Sequence, residues 1–569
     1  MSDQPYLVLF DADRIKDFVF ATGRLKEIRG GSQIVRDATD ADALIRALNL
    51  DPGQVVFAEG GSGVLKIEGR EAAEGLCRRL EWRYCDHTRG ATLTAVTEPL
   101  DGDFGAVTAR AARRLRLAKE DVRRRQQLNQ SPFAQPCESC GMQPATEFYT
   151  LQPAKLCAAC YVKRLRADLL RGDRTGEELL LEDTAWGRQF LASLDVQTAP
   201  DWAGAQLPLT LDKLAELSHP NNYLGFLYAD GNGLGDALQD QKTEDDYRHF
   251  SRRVSVSMQA ALWLALQRHF PKPELRHGIK LAPFELIALG GDDVILVTVA
   301  DQAVPLAITL GRLFQHVNAG LAPLRLEALT REAALEAALE IGRQALDHLV
   351  AAPTGEDVFT LSCGVVIAHP GQPIQNLELQ ARELLKNAKR QFRRQAALDF
   401  HVVSTPVLRA MDDIRRDEYR LEEGDGRQSY LTRRPLTLDD AARLLCHVRQ
   451  FNAGGEGEAL PRNKLNALYQ ALFTGQDAAS FEAFFLRSRL NAVQRAKLDA
   501  FFKDFGILTD RTAKDDRPLF PWGRNAQGDV FTVFGDLIEI YEFTHGTDVA
   551  ECQPAGPEQR EGGDGAAQG

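Results

Sequence analysis

The sequence has no apolar run approaching the roughly 20 residues that a membrane-spanning helix needs, so no membrane segment is expected. Its first residues, MSDQPYLVLFDAD, lack the basic segment and cleavage pattern of a secretion leader, so a cytoplasmic location is expected. An excess of positive charge is also missing: 68 Lys and Arg stand against 80 Asp and Glu, a net charge of -12. That excludes a chain that coats nucleic acid along its length, though not a local basic groove or binding shared with basic partners. The nine cysteines, at 77, 85, 137, 140, 157, 160, 363, 446 and 552, are odd in number and do not read as a disulfide framework. What remains is ordinary globular composition, 44% hydrophobic and 26% charged. The 569 residues are too many for a single core, so several domains are expected.

The most informative stretch runs from Glu285 to Leu296, ELIALGGDDVIL. Two apolar arms around Gly290-Gly291-Asp292-Asp293 predict a hairpin with two carboxylates at its tip. Adjacent acids repel unless a cation or solvent offsets them. Hard oxygen ligands of this kind suit Mg²⁺ or Mn²⁺, and Mg²⁺ commonly arrives with substrate phosphates. An exposed turn can carry Gly and Asp for backbone reasons alone. A second acidic turn weighs against that reading. The strand-like Asn222–Ala229 ends in Asp230-Gly231-Asn232-Gly233-Leu234-Gly235. If it lies beside the hairpin, Asp230 joins Asp292 and Asp293 at one sheet edge. Three such carboxylates can hold two divalent ions for in-line phosphoryl or nucleotidyl transfer. Gly231, Asn232, Gly290 and Gly291 are then expected at the nucleotide, the glycines permitting close backbone approach to phosphate.

The same plan occurs earlier. Residues 6–13 form a buried-type strand ending on acids, a helix follows, and Val55–Ile67 reads as a Gly-rich hairpin. Where the later hairpin has Asp-Asp, this one has Ser62 and Gly63, so metal chemistry is doubtful here. An arginine-rich helix is expected over 106–127. Such a run is usually a solvated face, and it can also meet RNA or a partner subunit. Next come Cys137-x-x-Cys140 and Cys157-x-x-Cys160, with sixteen residues between the inner cysteines. Two knuckles at that spacing indicate a closed tetrahedral Zn²⁺ site of structural purpose, with a redox pair as the alternative.

The two acidic turns resemble the palm domain of nucleotidyl cyclases and polymerases, the GGDEF diguanylate cyclases among them. More specifically they resemble the second palm of the large polymerase-cyclase subunit of type III CRISPR effector complexes, which carries GGDD. A third segment matches: the strand Phe359–Ile367, then the helix LELQARELLKNAK ending in Ala388-Lys389. The resemblance implies that Lys389, and less directly Lys386, meets nucleotide phosphates. It also implies a first palm carrying LKEIRGGSQIV, in which Ser32 lies near a nucleotide held between the palms. A zinc ribbon stands between the palms of that family, and its helical C-terminal domain contacts small partner subunits. Many members begin with an HD nuclease domain. The first palm here starts at residue 6 with no His-Asp pair of that kind, so DNase activity by that route is not expected, and a stand-alone relative is a further possibility.

The expected fold class is α+β, with two ferredoxin-like palms, an intervening zinc ribbon and a helical C-terminal domain. The expected divisions are 1–130 degenerate first palm, 131–170 ribbon, 171–215 helical linker, 216–405 second palm, 406–550 helical domain and 551–569 disordered tail. Thr437 is expected to cap a helix, and the C-terminal part is expected to be helical from about 434. The resemblance implies an ATP-dependent nucleotidyltransferase making cyclic oligoadenylate or a related second messenger. Asp230, Asp292 and Asp293 would hold Mg²⁺ or Mn²⁺, and Cys137, Cys140, Cys157 and Cys160 would hold Zn²⁺. Implied partners are ATP, other effector subunits, guide and target RNA, and a downstream effector. The alternative is a nucleotide-binding, catalytically silent scaffold; GTP in place of ATP also stays open.

Overall fold

The structure is a computed structural model that describes residues 4–120, 133–172, 178–349, 353, 355, 358–404, 409–422, 428–454, 457–507, 520–524 and 529–544. The chain divides into two compact units, Met1–Leu408 and Arg409–Gly569.

The first unit opens with β1 (Pro5–Ala12), followed by α1 (Ile15–Val19), α2 (Leu25–Thr39) and α3 (Ala41–Leu48). The hairpin β2 (Val55–Glu59) and β3 (Ser62–Glu68), α4 (Arg70–Thr88), β4 (Leu93–Pro99) and α5 (Phe104–Lys119) complete this part. The strands form an antiparallel sheet in the order β2-β3-β1-β4. Alternate residues of β1 bury on opposite faces. Val8, Phe10 and Ala12 pack with Ala38, Leu44, Leu76 and Tyr84 of α2–α4, whereas Leu7 and Leu9 pack with Phe104, Val107 and Ala111 of α5. Burial on both faces is why the strand reads as an unbroken apolar run.

A short hairpin, β5 (Glu147–Tyr149) and β6 (Ala154–Leu156), leads into α6 (Ala158–Leu170). Helix α6 lies against α2 so closely that a Cβ on Gly30 would sit 1.9 Å from the Lys163 carbonyl oxygen. Residues 178–215 form no open linker. Here α7 (Ala185–Ser193), α8 (Ala199–Trp202) and α9 (Leu211–Ala215) are short. The fully buried Phe190 and Trp202 stack edge-on at 5.1 Å and meet Phe284 at 5.5 and 5.8 Å. The segment is a buttress, because its aromatic residues have a core to fill.

The second sheet begins with β7 (Leu224–Gly231), α10 (Leu234–Gln239) and α11 (Glu244–His269). After the small hairpin β8 (Glu274–Arg276) and β9 (Ile279–Leu281) come β10 (Phe284–Leu289) and β11 (Asp293–Val299). Then follow α12 (Ala300–Leu321), α13 (Arg331–Ala345), β12 (Leu361–Ala368), α14 (Ile374–Gln391) and β13 (Ala397–Val402). These strands run in the order β10-β11-β7-β12-β13, antiparallel except for β12–β13, which α14 joins as a parallel crossover. The first four repeat the connectivity of the first sheet. Helix α11 starts on a capping box, Thr243 accepting from the Asp246 amide at 3.1 Å. Its apolar residues Val256 to Leu266 are buried.

The second unit is not purely helical. Around α15 (Met411–Glu418), the strands β14 (Arg420–Glu422), β15 (Gln428–Tyr430), β17 (Gly523–Arg524) and β18 (Val530–Phe531) form a four-stranded sheet in the order β14-β15-β18-β17. Strands of two or three residues carry too little alternation to show in the sequence, and residues 530–531 are strand where helix was expected. The rest follows expectation more closely. After β16 (Leu436–Thr437) come α16 (Leu438–Asn452), α17 (Arg462–Leu472), α18 (Gln476–Ser488), α19 (Ala492–Asp504) and α20 (Phe534–Tyr541). Thr437 caps α16, accepting from the Asp440 amide at 3.1 Å. Arg434, Asp536 and Glu539 form a buried ion cluster, at 2.8 and 2.7 Å from the guanidinium. Cys446 is in a disulfide, which the odd count did not suggest; the other seven cysteines among the described residues form none. The expected disordered tail lies outside the described residues. Among the described residues no helix is long and apolar enough to cross a membrane.

Candidate active site and metal centres

The acidic residues meet at the end of the second sheet. β7 and β11 are hydrogen-bonded neighbours in a register that sets Asp293 directly opposite Asp230. Asp292 occupies the hairpin turn, and its carbonyl accepts from the Gly231 amide at 3.2 Å. The Lys389 ammonium, near the end of α14, donates to the Asp230 carboxylate and, at 2.6 Å, to the Gly231 carbonyl. From the first sheet, Lys16 of α1 places its Nζ 3.8 Å from the Asp293 carboxylate and 4.1 Å from the centre of the Tyr228 ring.

Carboxylates crowded together in partial burial resist ionisation, and two of these three show it. Burial, then the charges of Asp230 and Asp293, push the Asp292 carboxyl up to about 7, against the pull of Lys389. Burial also raises Asp293; Lys16 opposes this and Asp230 adds to it. Hard oxygen donors crowded this closely suit a hard divalent cation, so Asp230, Asp292 and Asp293 fit Mg²⁺ or Mn²⁺.

The glycines have packing reasons to be glycine. A Cβ on Gly231 would fall 2.1 Å from Leu234 Cδ1, and one on Gly290 would fall 2.5 Å from Asp293 Oδ1 and 3.4 Å from Gly60 Cα. The tips of the two Gly-rich hairpins therefore touch. Gly291 is less confined, its Cβ position meeting only the Phe57 ring at 3.7 Å. Asn232 anchors the first acidic turn: its side-chain amide donates to Thr360 Oγ1 at 2.9 Å and to the Gln395 carbonyl at 3.0 Å.

Two expected residues stand elsewhere. Ser32 Oγ donates at 2.5 Å to the Ile287 carbonyl, at the β-bulge of β10, so it touches an arm of the hairpin rather than its acids. One turn earlier on α2, Arg29 grips Glu285 of β10 through Nε and Nη2 at 2.7 and 2.6 Å, both side chains buried. Lys386 is exposed, and its charge bears on Glu378, a carboxyl raised chiefly by burial.

The first sheet ends in the same contacts without the two hairpin acids. The Ala12 amide donates to the Gly61 carbonyl at 2.8 Å, as Gly231 does to Asp292. Asp11 is opposite Ser62, as Asp230 is opposite Asp293. This register corrects the expected correspondence by one residue: Gly61 and Ser62, not Ser62 and Gly63, stand where Asp292 and Asp293 do. Aligning the glycine pairs misleads because the first tip carries its glycines one place later. Lys119 of α5 meets Asp11 at 2.5 Å and Asp13 at 3.2 Å, as Lys389 meets Asp230. Arg110 and Arg114 on that helix pair with Glu98, and Arg110 also with Asp101. Residues 121–127 of the expected arginine-rich helix lie outside the described residues.

The four ribbon cysteines form a second candidate metal centre. The Sγ atoms of Cys137, Cys140, Cys157 and Cys160 lie within 4.8 Å of one another, with Cys140 and Cys157 3.9 Å apart. A tetrahedron with Zn–S near 2.3 Å has edges of about 3.8 Å. The set therefore fits Zn²⁺ with no open position.

Sequence reasoning missed Lys16, Tyr228 and Thr360 at the acidic site. Lys16 follows the acidic end of β1 by one turn, the only signal it offered.

Residues 223–328 match the family model described as Cas10/Cmr2, second palm domain. The chain carries a Cas10-like second palm. That span holds all three acids, from β7 to beyond β11. Solved structures extend the likeness in fold to nearly the whole chain. A Csm1–Csm4 cassette in complex with cA4 superposes with a TM-score of 0.52 at 15% identity, covering 95% of this chain and 70% of that one. The cassette in complex with one ATP gives 0.52 at 16%, with 95% and 70% covered. Csm1 of T. onnurineus gives 0.50 at 15%, with 95% and 69% covered. No curated protein matches the sequence. The chain thus joins a Cas10-like second palm to a fold shared with these Csm1 structures.

Proposed function

We propose that the chain is a nucleotidyltransferase that joins ATP into cyclic oligoadenylate, with the chemistry at the second palm and the first sheet acting as a second, degenerate palm. The observation that carries this reading is the pairing of Asp230 with Asp293 across β7 and β11, with Asp292 raised to about 7 beside them. A scaffold has no need for three mutually repelling carboxylates. The complexes of related cassettes with cA4 and with one ATP support adenine nucleotides as the ligand class.

Asp230, Asp292 and Asp293 would hold two Mg²⁺ or Mn²⁺ ions, which when bound activate a 3′-hydroxyl and stabilise leaving pyrophosphate. The chain's own residues do the rest. Register fixes Asp230 and Asp293 facing one another, and the Gly290–Gly60 contact sets the depth of the hairpin tip. Lys389, which donates to Asp230 and the Gly231 carbonyl, would neutralise charge developing on the triphosphate. The first palm lacks acids at Gly61 and Ser62, and Lys119 already neutralises Asp11 and Asp13, so it binds the acceptor without activating it. Ser32 supports that acceptor side through the β10 arm that it bonds. The cysteine cluster holds structural zinc. Partners of this reading are a Csm4-type subunit, guide and target RNA, and an effector that responds to the product.

The test is incubation of the purified chain with α-labelled ATP and Mn²⁺, with and without target RNA. Cyclic product that disappears in the Asp292→Ala plus Asp293→Ala variant supports the reading. ATP that binds without turnover under every condition replaces it with the scaffold.

A further inference from the structure

Lys16 has no role in what is derived above. It belongs to α1, on the first sheet, yet its ammonium lies 3.8 Å from Asp293 Oδ2, on the second. The same ammonium stands 4.1 Å from the ring centre of Tyr228, two residues before Asp230 on β7. At 3.8 Å the contact is coulombic rather than a hydrogen bond. The side chain is 30% exposed, so it is neither sealed in nor free in solvent.

The backbone that carries Lys16 is fixed with unusual care for a helix of five residues. Arg14, just before it, is in the left-handed region with φ 50°, which turns the chain sharply off β1. Ile15 fits against Gly61, where a Cβ would come within 2.2 Å of Ile15 Cδ1. Phe18 and Val19 are buried. Lys163 of α6, only 1% exposed, donates its ammonium to the Phe18 carbonyl and lies 4.2 Å from the Phe18 ring centre. A lysine buried at that depth is costly unless well partnered. Its partner is the turn that aims Lys16.

We propose that Lys16 is a working part of the acidic site, delivered from the first sheet. It holds Asp293 while no cation is bound, and it turns to the triphosphate when divalent ions displace it. This rests on the nucleotidyl-transfer reading and adds to it a contribution from the sheet that lacks the acids. With Lys389 on Asp230 and Lys16 on Asp293, each carboxylate of the facing pair carries its own ammonium. Divalent ions arriving with nucleotide compete with both. A lysine on a flexible stem can leave one oxygen anion for another without moving backbone, and α1 stays pinned by Lys163.

The test uses the full chain with Lys16→Met and Lys16→Arg, and Lys66→Met, whose lysine pairs with Glu244 away from the acids, as a control lysine of the first sheet. Mn²⁺ binding is measured without nucleotide by electron paramagnetic resonance. Binding of a non-hydrolysable ATP analogue is then measured in saturating Mn²⁺. Lys16→Met is expected to tighten nucleotide-free Mn²⁺ binding by about threefold to fivefold, because a competing cation is gone. It is expected to weaken the analogue by about tenfold, the scale of a lost charge-assisted phosphate contact. Lys16→Arg recovers part of the second effect, and Lys66→Met changes neither. Unchanged Mn²⁺ and analogue affinities in Lys16→Met overturn the proposal, leaving a surface ion pair. A loss of both affinities together with melting temperature overturns it in favour of a structural role. These readouts need no turnover, so absence of product in the wild-type chain counts against the nucleotidyl-transfer reading and leaves the Lys16 result to be scored separately.

Discussion

Replacing Asp292 with Asn should stabilise the metal-free protein. Moving a carboxyl from 3.8 to about 7 is worth roughly 4 kcal/mol at about 1.4 kcal/mol per pKa unit. Asp292 is partly exposed, and water and salt reduce that ceiling to about 1–2 kcal/mol. The sign follows from linkage. The folded state binds the Asp292 proton more tightly than the unfolded state does. Its stabilising contribution is therefore complete below about pH 4 and is lost as pH rises to about 7. The Asn variant loses nothing over that range, so its advantage is absent near pH 4 and complete above pH 7. For a unit of about 400 residues, unfolding entropy near 0.9 kcal/mol/K turns this into a rise of about 1–2 °C in melting temperature. Differential scanning calorimetry in EDTA at pH 8 measures it. Adding Mn²⁺ should raise the wild-type melting temperature and move the variant much less, reversing their order. A variant that melts below wild type in EDTA at pH 8, or that responds to Mn²⁺ equally, refutes the account of repelling carboxylates.

Lys389→Ala removes the ammonium bonded to Asp230 and should raise KM for ATP with a fall in kcat of about 10–100-fold, read in steady-state assays. Elemental analysis should find about one zinc per chain. Cys157→Ser with Cys160→Ser should lose it and lower the melting temperature, because the ribbon's own core is six buried residues, three of them cysteine ligands. Glu285→Ala strips the partner from the buried Arg29 and should cost about 3–5 kcal/mol by denaturant unfolding. In the second unit Arg434→Ala leaves Asp536 and Glu539 buried without their cation and should cost a similar ~3–5 kcal/mol there.

The acids were legible because their signal is local. Each is in a turn between apolar strands, and the strand pairing that unites them follows from burial of both β7 and β11. The cysteine knuckles were legible for the same reason, since their spacing alone sets the ligand geometry. Ser32 was placed by resemblance, and the structure gives it a neighbour, the Ile287 carbonyl, that no spacing could reveal. Lys16 was illegible because its meaning depends on how two sheets face each other. The residue offset at Ser62 came from counting glycines, whereas hydrogen-bond register decides which positions correspond. The small sheet of the second unit escaped notice because its strands are two or three residues long.

The most direct test of the two-metal site is a crystal of the chain soaked with Mn²⁺ and a non-hydrolysable ATP analogue, analysed by anomalous scattering. The account predicts two manganese peaks about 3.5–4 Å apart, bounded by Asp230, Asp292 and Asp293, with the triphosphate between them and Lys389. Manganese absent from those carboxylates while the analogue is bound elsewhere would contradict it.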